Sequence, residues 1–338
     1  MANYTEVNDP TAFFNSVLYV GNEQARDITL DGLNDMQPDW VWAKIRSQGY
    51  SHRLFDSVRG TGKFLHSDGN DAEGTQNANV SAFNSNGFSL GNDNGINSDG
   101  DTHVAWCWKA GTAFTNDASS TSIGTIDSAG SVSTDAGFSI CSFTGTGSNG
   151  TIKHGLSTVP KMIIVKSRSS TNVWNVYHVA TGNGNGSQLN EPDTPTDNAS
   201  FWQDTTPTTS VFSVGNNSSV NASGVTYISY CFAEVRGYSK FGSYKGDGNL
   251  DGPVIFTGFS PAFVILKRTN SSNHWIMFDN KRDPHNEALG VLYPSQGAAE
   301  DRSNGTNDID FLSNGFKIRE DNGECNGSGD SYIFMAFA

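Results

Sequence analysis

Pro160-Lys-Met-Ile-Ile-Val-Lys166, a polar bridge of Ser, Arg, Thr and Asn, and then Trp174-Asn-Val-Tyr-His178 is the stretch whose reading decides the fold. It recurs as Pro261-Ala-Phe-Val-Ile-Leu-Lys267 followed by His274-Trp-Ile-Met-Phe-Asp279. It occurs earlier as Pro38-Asp-Trp-Val-Trp-Ala-Lys44 followed by His52-Arg-Leu-Phe-Asp56. In each copy the lysine follows the proline by six positions, and an Asp or His follows the lysine by twelve. Two spacings kept three times make an internal repeat. The Pro-led run is short, apolar and often β-branched, which is strand composition, with Pro where a missing N–H does no harm. The Ser/Thr/Asn bridge is turn chemistry, so the centre of each copy reads as a β-hairpin spanning Trp40–Asp56, Met162–His178 and Phe263–Asp279.

The repeat extends outward. Each copy opens on an aromatic and a Gly turn (Tyr19-Val-Gly21, Phe143-Thr-Gly145, Tyr244-Lys-Gly246). Each closes on Asn-x-x-Gly and an aromatic-rich strand: Thr102-His-Val-Ala-Trp-Cys-Trp108, Thr226-Tyr-Ile-Ser-Tyr-Cys-Phe232 and Ser331-Tyr-Ile-Phe-Met-Ala-Phe337. Alternating aromatics mark a strand packed on both faces. Phe88-Ser-Leu-Gly91-Asn92 matches Phe212-Ser-Val-Gly215-Asn216, and Phe83-Asn-Ser-Asn-Gly-Phe88 matches Phe311-Leu-Ser-Asn-Gly-Phe316. The expected fold is therefore all-β, with three tandem β-sandwich-like units of about 100 residues each.

The expected boundaries are 1–112 for unit one, 113–136 for a Ser/Thr/Gly-rich linker, 137–236 for unit two with an insertion at 181–209, and 237–338 for unit three. Units two and three follow one another directly, so they are expected to share an interface, with unit one tethered more loosely. Composition agrees with a loop-rich β protein: 37 Gly among 338 residues and only 17% charged side chains. The net charge of −14 excludes phosphate-backbone binding and docking on anionic lipid, which need clustered Lys and Arg. Met1-Ala-Asn-Tyr-Thr-Glu6 has neither a basic nor an apolar stretch of signal type, and no apolar run reaches spanning length. Cys107 and Cys231 occupy the same place in two closing strands and read as buried core thiols of a chain made in a reducing compartment. Cys141 reads as another strand residue. Cys325 has no counterpart and is placed at the surface.

Gly155-Leu156 before a Pro-led strand, Trp174-x-Val-Tyr-His178, Ala233-Glu-Val-Arg-Gly-Tyr-Ser-Lys-Phe-Gly-Ser-Tyr244 and Tyr332-Ile-Phe-Met-Ala-Phe337 carry a resemblance. Over nearly the whole chain the sequence resembles repeat-containing, tail-fibre-like virion structural proteins of tailed bacteriophages, many of them marine. The resemblance implies a virion component of β-rich units, assembled in the host cytoplasm, and brings no catalytic residues with it. The collagen-like, coiled-coil or β-helical shaft of a complete fibre has no counterpart in this sequence.

Candidate chemistry is sparse. Asp56, His178 and Asp279 are equivalent, but no carboxylate or nucleophile recurs at a fixed spacing to serve as partner. They read as exposed strand ends or caps of the next turn. Lys44, Lys166 and Lys267 read as solvated or ion-paired. Asp247-x-Asn249-x-Asp251-Gly252 matches the first half of a calcium loop, yet Gly258 stands where the bidentate Glu belongs. Calcium is the one metal with a candidate site, against a plain Asp/Gly turn. Trp202, beside Phe201 in a polar insertion, is the candidate sugar-stacking or host-contact platform, against a role in anchoring the loop.

Three functions follow as expectations. The first is a non-enzymatic virion structural protein of tail-fibre, spike or head-decoration type. Its partners would be identical copies, a trimer favoured, and other virion proteins, with host-surface glycan as a further contact. The second is a lectin-like glycan-binding module. The third is a glycan-degrading tailspike-type enzyme, which needs an inward-facing carboxylate pair.

Overall fold

The computed structural model describes residues 5–303 and 307–338. Its regular structure is antiparallel strand, as the alternation predicts. The described helices are single turns, each begun by an Asp or Asn side chain that accepts from the first backbone N–H groups (Asp93, Asp117, Asn198, Asn217).

One order of four strands appears three times: opening, closing, Pro-led, return. In set one these are Phe14–Val20, Thr102–Trp108, Trp40–Ile45 and Arg53–Asp56. In set two they are Phe138–Thr144, Thr226–Ala233, Pro160–Ser167 and Asn175–His178. In set three they are Ser239–Lys245, Ser331–Phe337, Phe263–Arg268 and Ile276–Asp279. The register also coincides. Trp40 faces Trp108 on one side and Asp56 on the other, Met162 faces Phe232 and His178, and Phe263 faces Phe337 and Asp279. Each four-stranded sheet covers a smaller one. That smaller sheet is Arg26–Ile28, Gly87–Leu90 and Val80–Asn84 in set one, and Gly150–Lys153 with Val211–Val214 in set two. In set three it is Val254–Phe256, Gly315–Ile318 and Ile309–Leu312. Between the two layers lie three separate cores, built around Phe88, Phe212 and Phe316.

The other face of each four-stranded sheet turns inward, and there the three sets share one core. It holds Trp40, Trp42, Trp106 and Trp108 of set one, Trp174, Tyr230 and Phe232 of set two, and Phe263, Trp275 and Phe337 of set three. Trp40 lies 4.5 Å from Tyr230, Phe232 lies 6.0 Å from Phe337, and Trp108 lies 5.8 Å from Phe337, ring centre to ring centre. Trp108, Phe232 and Phe337 occupy the same position in the three closing strands. Each buried aromatic removes about 150–250 Å² from water, worth up to about 4–6 kcal/mol, so this centre is the largest single source of cohesion. Unit one is therefore not loosely tethered; its four tryptophans are the centre of the shared core.

One further expectation is corrected. The supposed linker forms strands Thr112–Asn116 and Ser128–Ser133, which extend the set-two sheet beyond its opening strand. Its small residues conceal the pattern; Gly130 packs against the Ile140 carbonyl, where a side chain would not fit. The insertion extends the same sheet at its far edge through Asn185–Gln188 and Thr196–Asp197.

The Asn-x-x-Gly signature has a mechanical reason. Asn97, Asn221 and Asn326 are buried, and each bonds the loop after the opening strand to the closing segment. Asn97 Oδ1 accepts from Asn22 N, Asn221 Oδ1 from Thr146 N, and Asn326 Oδ1 from Asp247 N. Gly100, Gly224 and Gly329 then take φ of +74°, +75° and +78°, and donate to the carbonyls of Gly21, Gly145 and Gly246.

Candidate functional site

The charged residues that sequence alone marks as candidates converge on the seams between the three sets. Asp56 and Asp279 end their return strands wholly buried, and each caps the next turn by accepting from the backbone N–H three residues on, at 2.8 Å. Each also holds an arginine on its second oxygen, Arg59 and Arg282, at 2.5 Å. Each then receives a bond from another set. The Tyr230 hydroxyl donates to Asp56 at 2.7 Å, and the Trp106 indole N–H donates to Asp279 at 2.9 Å. Tyr230 and Trp106 occupy equivalent closing-strand positions.

The arginines continue the chain of contacts. Arg59 meets Glu73, which pairs with Arg168 of set two at 2.9 Å. Arg282 meets Glu300 at 2.7 Å, and Glu300 pairs with Arg46 of set one at 2.8 Å. Burial raises the Glu300 carboxyl, but Arg282 and Arg46 outweigh it and hold the group below its usual range. Burial likewise opposes charge on Arg59, and Asp56 overrides it.

At the seam of sets two and three every member changes together. His178 stands where the aspartates are, Thr181 where the arginines are, and Met335 where Tyr230 and Trp106 are. His178 caps its turn through Nδ1, which accepts from Ala180 N at 3.1 Å, leaving Nε2–H to donate to the Phe334 carbonyl of set three at 3.1 Å. Burial pushes its pKa down to about 4, so the ring is neutral.

A second ring of contacts lies alongside. The Trp174 indole donates to the His66 carbonyl and the Trp275 indole to the Gln188 carbonyl, both at 2.8 Å; His52, in the equivalent place, accepts from the Trp42 indole of its own set, and that seam is crossed instead by the Ser67 hydroxyl, which donates to the Pro294 carbonyl at 2.7 Å. Lys44, Lys166 and Lys267 are fully buried rather than solvated, and each ammonium bonds carbonyls: Ile45 and Gln48; Ser167 and Asn70; Pro192 and Asn273. Asn70 belongs to set one and Pro192 to set two, so two of the lysines also cross a seam. Desolvation lowers all three to about 8.

The residues brought together in this way are joints. Their acids and bases are spent on one another, and their donors are aimed at backbone, which fixes three sheets in one arrangement. Sequence reading missed Arg59, Arg282, Glu73 and Glu300. The available signal was Asp-x-x-Arg, present after the hairpins of units one and three and replaced by His-x-x-Thr after that of unit two.

The other candidates do not assemble a site of the kind expected. Trp202 is 2% exposed and Phe201 is buried beside it. Trp202 meets Tyr177 edge-on at 6.2 Å, inside the set-two core, and a ring so covered cannot stack on a sugar. The insertion buries it because the helix Ala199–Trp202 closes the end of the sandwich. In the calcium-like loop Asp247 Oδ1 accepts from Asn249 N and from Asn326 Nδ2, while Asp251 pairs with Lys317 at 2.8 Å and Arg319 at 3.0 Å. These carboxylates serve the loop lock and a surface ion pair, and no cluster of three or more potential metal-ligating residues occurs among those described. Cys325 is buried, not superficial, and no described thiol is paired. An open groove of about 370 Å³ lies along the Thr112–Asn116 edge, lined by Thr115, Asn116, Asp117, Asp127 and Phe143. Asp117 and Asp127 there cap the Ala118–Thr121 turn.

No curated protein and no solved structure matches the chain. Residues 9–338 match the family described as "Domain of unknown function (DUF7483)", and the chain belongs to that family.

Proposed function

We propose that this chain is a non-enzymatic structural protein of a phage particle, of tail-fibre, spike or head-decoration type, whose task is mechanical: to hold a fixed shape and present loops. The observation that carries the reading is the double ring of joints. Residue types from which a catalytic centre is built, namely buried Asp, Glu, His and low-pKa Lys, here stand between sheets and lock them together. The likeness of the closing and hairpin segments to virion repeat proteins supports the same assignment. Assembly with identical copies and other virion proteins belongs to the proposal. So does an acidic exterior that leaves genome packaging to other components.

A glycan-binding role is the second reading, and the groove at Thr115–Asp127 favours it through its hydroxyls, amide and carboxylates beside Phe143. Quantitative mass spectrometry of gradient-purified particles tests the first reading: the chain is expected at a fixed copy number per genome, and its absence from particles refutes the proposal. Incubation with host-envelope polysaccharide separates the second, since reversible retention supports it and shortening of the polymer reinstates an enzyme.

A further inference from the structure

Each smaller sheet ends on an edge strand with a buried Ile, paired across the sheet with Phe88, Phe212 or Phe316: Ile28, Ile152 and Ile255. The residues flanking that Ile face outward, and the three equivalent edges can be compared within one molecule. In set one the flanking residues are Asp27 and Thr29, and Asp27 is tied to Ser89. In set two they are Thr151 and Lys153, and the edge is already occupied: Thr125 N and Ile126 N both donate to the Thr151 carbonyl. In set three they are Val254 and Phe256, 39% and 67% exposed, and this strand lies at the margin of its sheet with no described neighbour on its outer side. One edge is guarded by polar side chains, one is covered by the chain, and one is bare and apolar. Proteins guard or cover edges because a bare one templates pairing with another strand.

We propose that the Val254–Phe256 edge is a self-association surface, on which a second copy of this chain pairs antiparallel about a twofold axis through Ile255. Backbone alternation fits this partner. Ile318 N donates to the Pro253 carbonyl and Thr257 N to the Asn314 carbonyl, so odd-numbered residues bond inward. The N–H and C=O groups of Val254 and Phe256 therefore point away from the sheet. A twofold centred on Ile255 sets Val254 of each copy opposite Phe256 of the other. Those are the two residues with free main-chain groups, so each pair exchanges both hydrogen bonds while the Ile255 pair does not. On the outer face the same register places β-branched against aromatic side chains, a favourable cross-strand combination.

Charge permits the contact despite −14 per copy. Pro253-Val-Ile-Phe-Thr257 carries no charge, and the nearest acid, Asp251, is already paired with Lys317 and Arg319 of its own chain. The set-two edge shows that this geometry accepts an extended segment. The inference stands independently of the virion reading, because it concerns the isolated chain.

Sedimentation of the full chain from micromolar to millimolar concentration tests it. A monomer–dimer equilibrium is expected, weakened at least about tenfold by Val254→Lys or Phe256→Lys and unchanged by Leu33→Lys, a residue 90% exposed elsewhere. Hydrogen exchange supplies a second reading that does not depend on the variants: the amides of Val254 and Phe256 slow with concentration, and that of Ile255 does not. A parent that stays monomeric, a trimer or open polymer, a dimer indifferent to both lysines, or capture of another protein's strand by a monomeric parent overturns the proposal.

Discussion

Replacing Tyr230 by Phe isolates one joint. The substitution keeps the ring that stacks on Trp40 at 4.5 Å and removes only the hydroxyl that donates to Asp56 at 2.7 Å. A hydrogen bond to a charged partner is worth about 1.5–3 kcal/mol net, and full burial on both sides places this one in that range; about 2 kcal/mol is expected. With an unfolding entropy of about 0.7 kcal/mol/K for a chain this long, the melting midpoint falls by about 3 °C. Asp56→Ala costs more, about 3–5 kcal/mol, because it leaves Arg59 buried without its carboxylate. In the double variant the hydroxyl no longer has a charge to serve, so the combined loss should fall short of the sum by about 1.5 kcal/mol or more. Urea unfolding followed by tryptophan fluorescence measures all three variants. The two residues lie in different sets, so the loss should shift one common transition. A Tyr230→Phe effect within about 0.5 kcal/mol of zero, or additivity within the same margin, refutes the joint.

Three further outcomes follow from the same geometry. His178, with a pKa of about 4 against 6.5 unfolded, binds its proton less readily when folded, so stability is lost as pH falls from 6.5 to 4; the loss reaches about 3 kcal/mol, and His178→Asn should flatten it in acid-range urea titrations. Lys166, lowered to about 8 from 10.5, acts with the same sign in an alkaline window: parent stability should gain on that of Lys166→Met as pH rises from 8 to 10.5, with a slope of about one proton in the difference, and equal slopes would count against burial of the ammonium. Gly100→Ala should cost about 1 kcal/mol by thermal melting although nothing lies within 4 Å of the new methyl, because φ is +74°; Gly49→Ala, with one distant neighbour and no positive φ, is the matched control.

The hairpins and closing strands were legible because their spacing repeats and their apolar residues alternate, and both signals are local. The shared core was not read, though a trace of it was present. Val104-Ala-Trp-Cys-Trp108 is apolar at every position, which demands cover on both faces, and a single sandwich supplies only one. The missing cover is the other two sheets. Lys44, Lys166 and Lys267 misled because a lysine at a strand end ordinarily reaches water, whereas here the neighbouring loop folds over each ammonium. Trp202 misled in the same way, since a polar insertion conceals that its one apolar turn points inward. Strands Thr112–Asn116 and Ser128–Ser133 have only Phe114 and Val132 as apolar residues larger than alanine, too few to show an alternation, and backbone pairing, of the first to the second and of the second to the Phe138–Thr144 strand, makes them.

The seam between sets two and three shows why the joints are best understood as units. A carboxylate at position 178 would face Met335, which has no proton to give, and Thr181, which has no charge, and so would be buried unpaired at a cost of several kcal/mol. A neutral imidazole avoids that cost. One nitrogen accepts from the turn, the other donates to the Phe334 carbonyl, and the seam still closes. Thr269 stands where Arg46 and Arg168 do, so the outer Arg–Glu contact is also gone from this seam. Four positions have changed in concert, and the contact across the sheets persists by different chemistry. Bonding across the seam is therefore the conserved physical requirement within this molecule, and the identity of the groups is secondary. The consequence is asymmetric: two seams are held by buried carboxylate–guanidinium pairs, while the third depends on a histidine that must stay neutral. Acid should accordingly loosen the His178 seam as pH falls from 6.5 to 4, because the proton that the ring then takes up removes the acceptor that caps its turn.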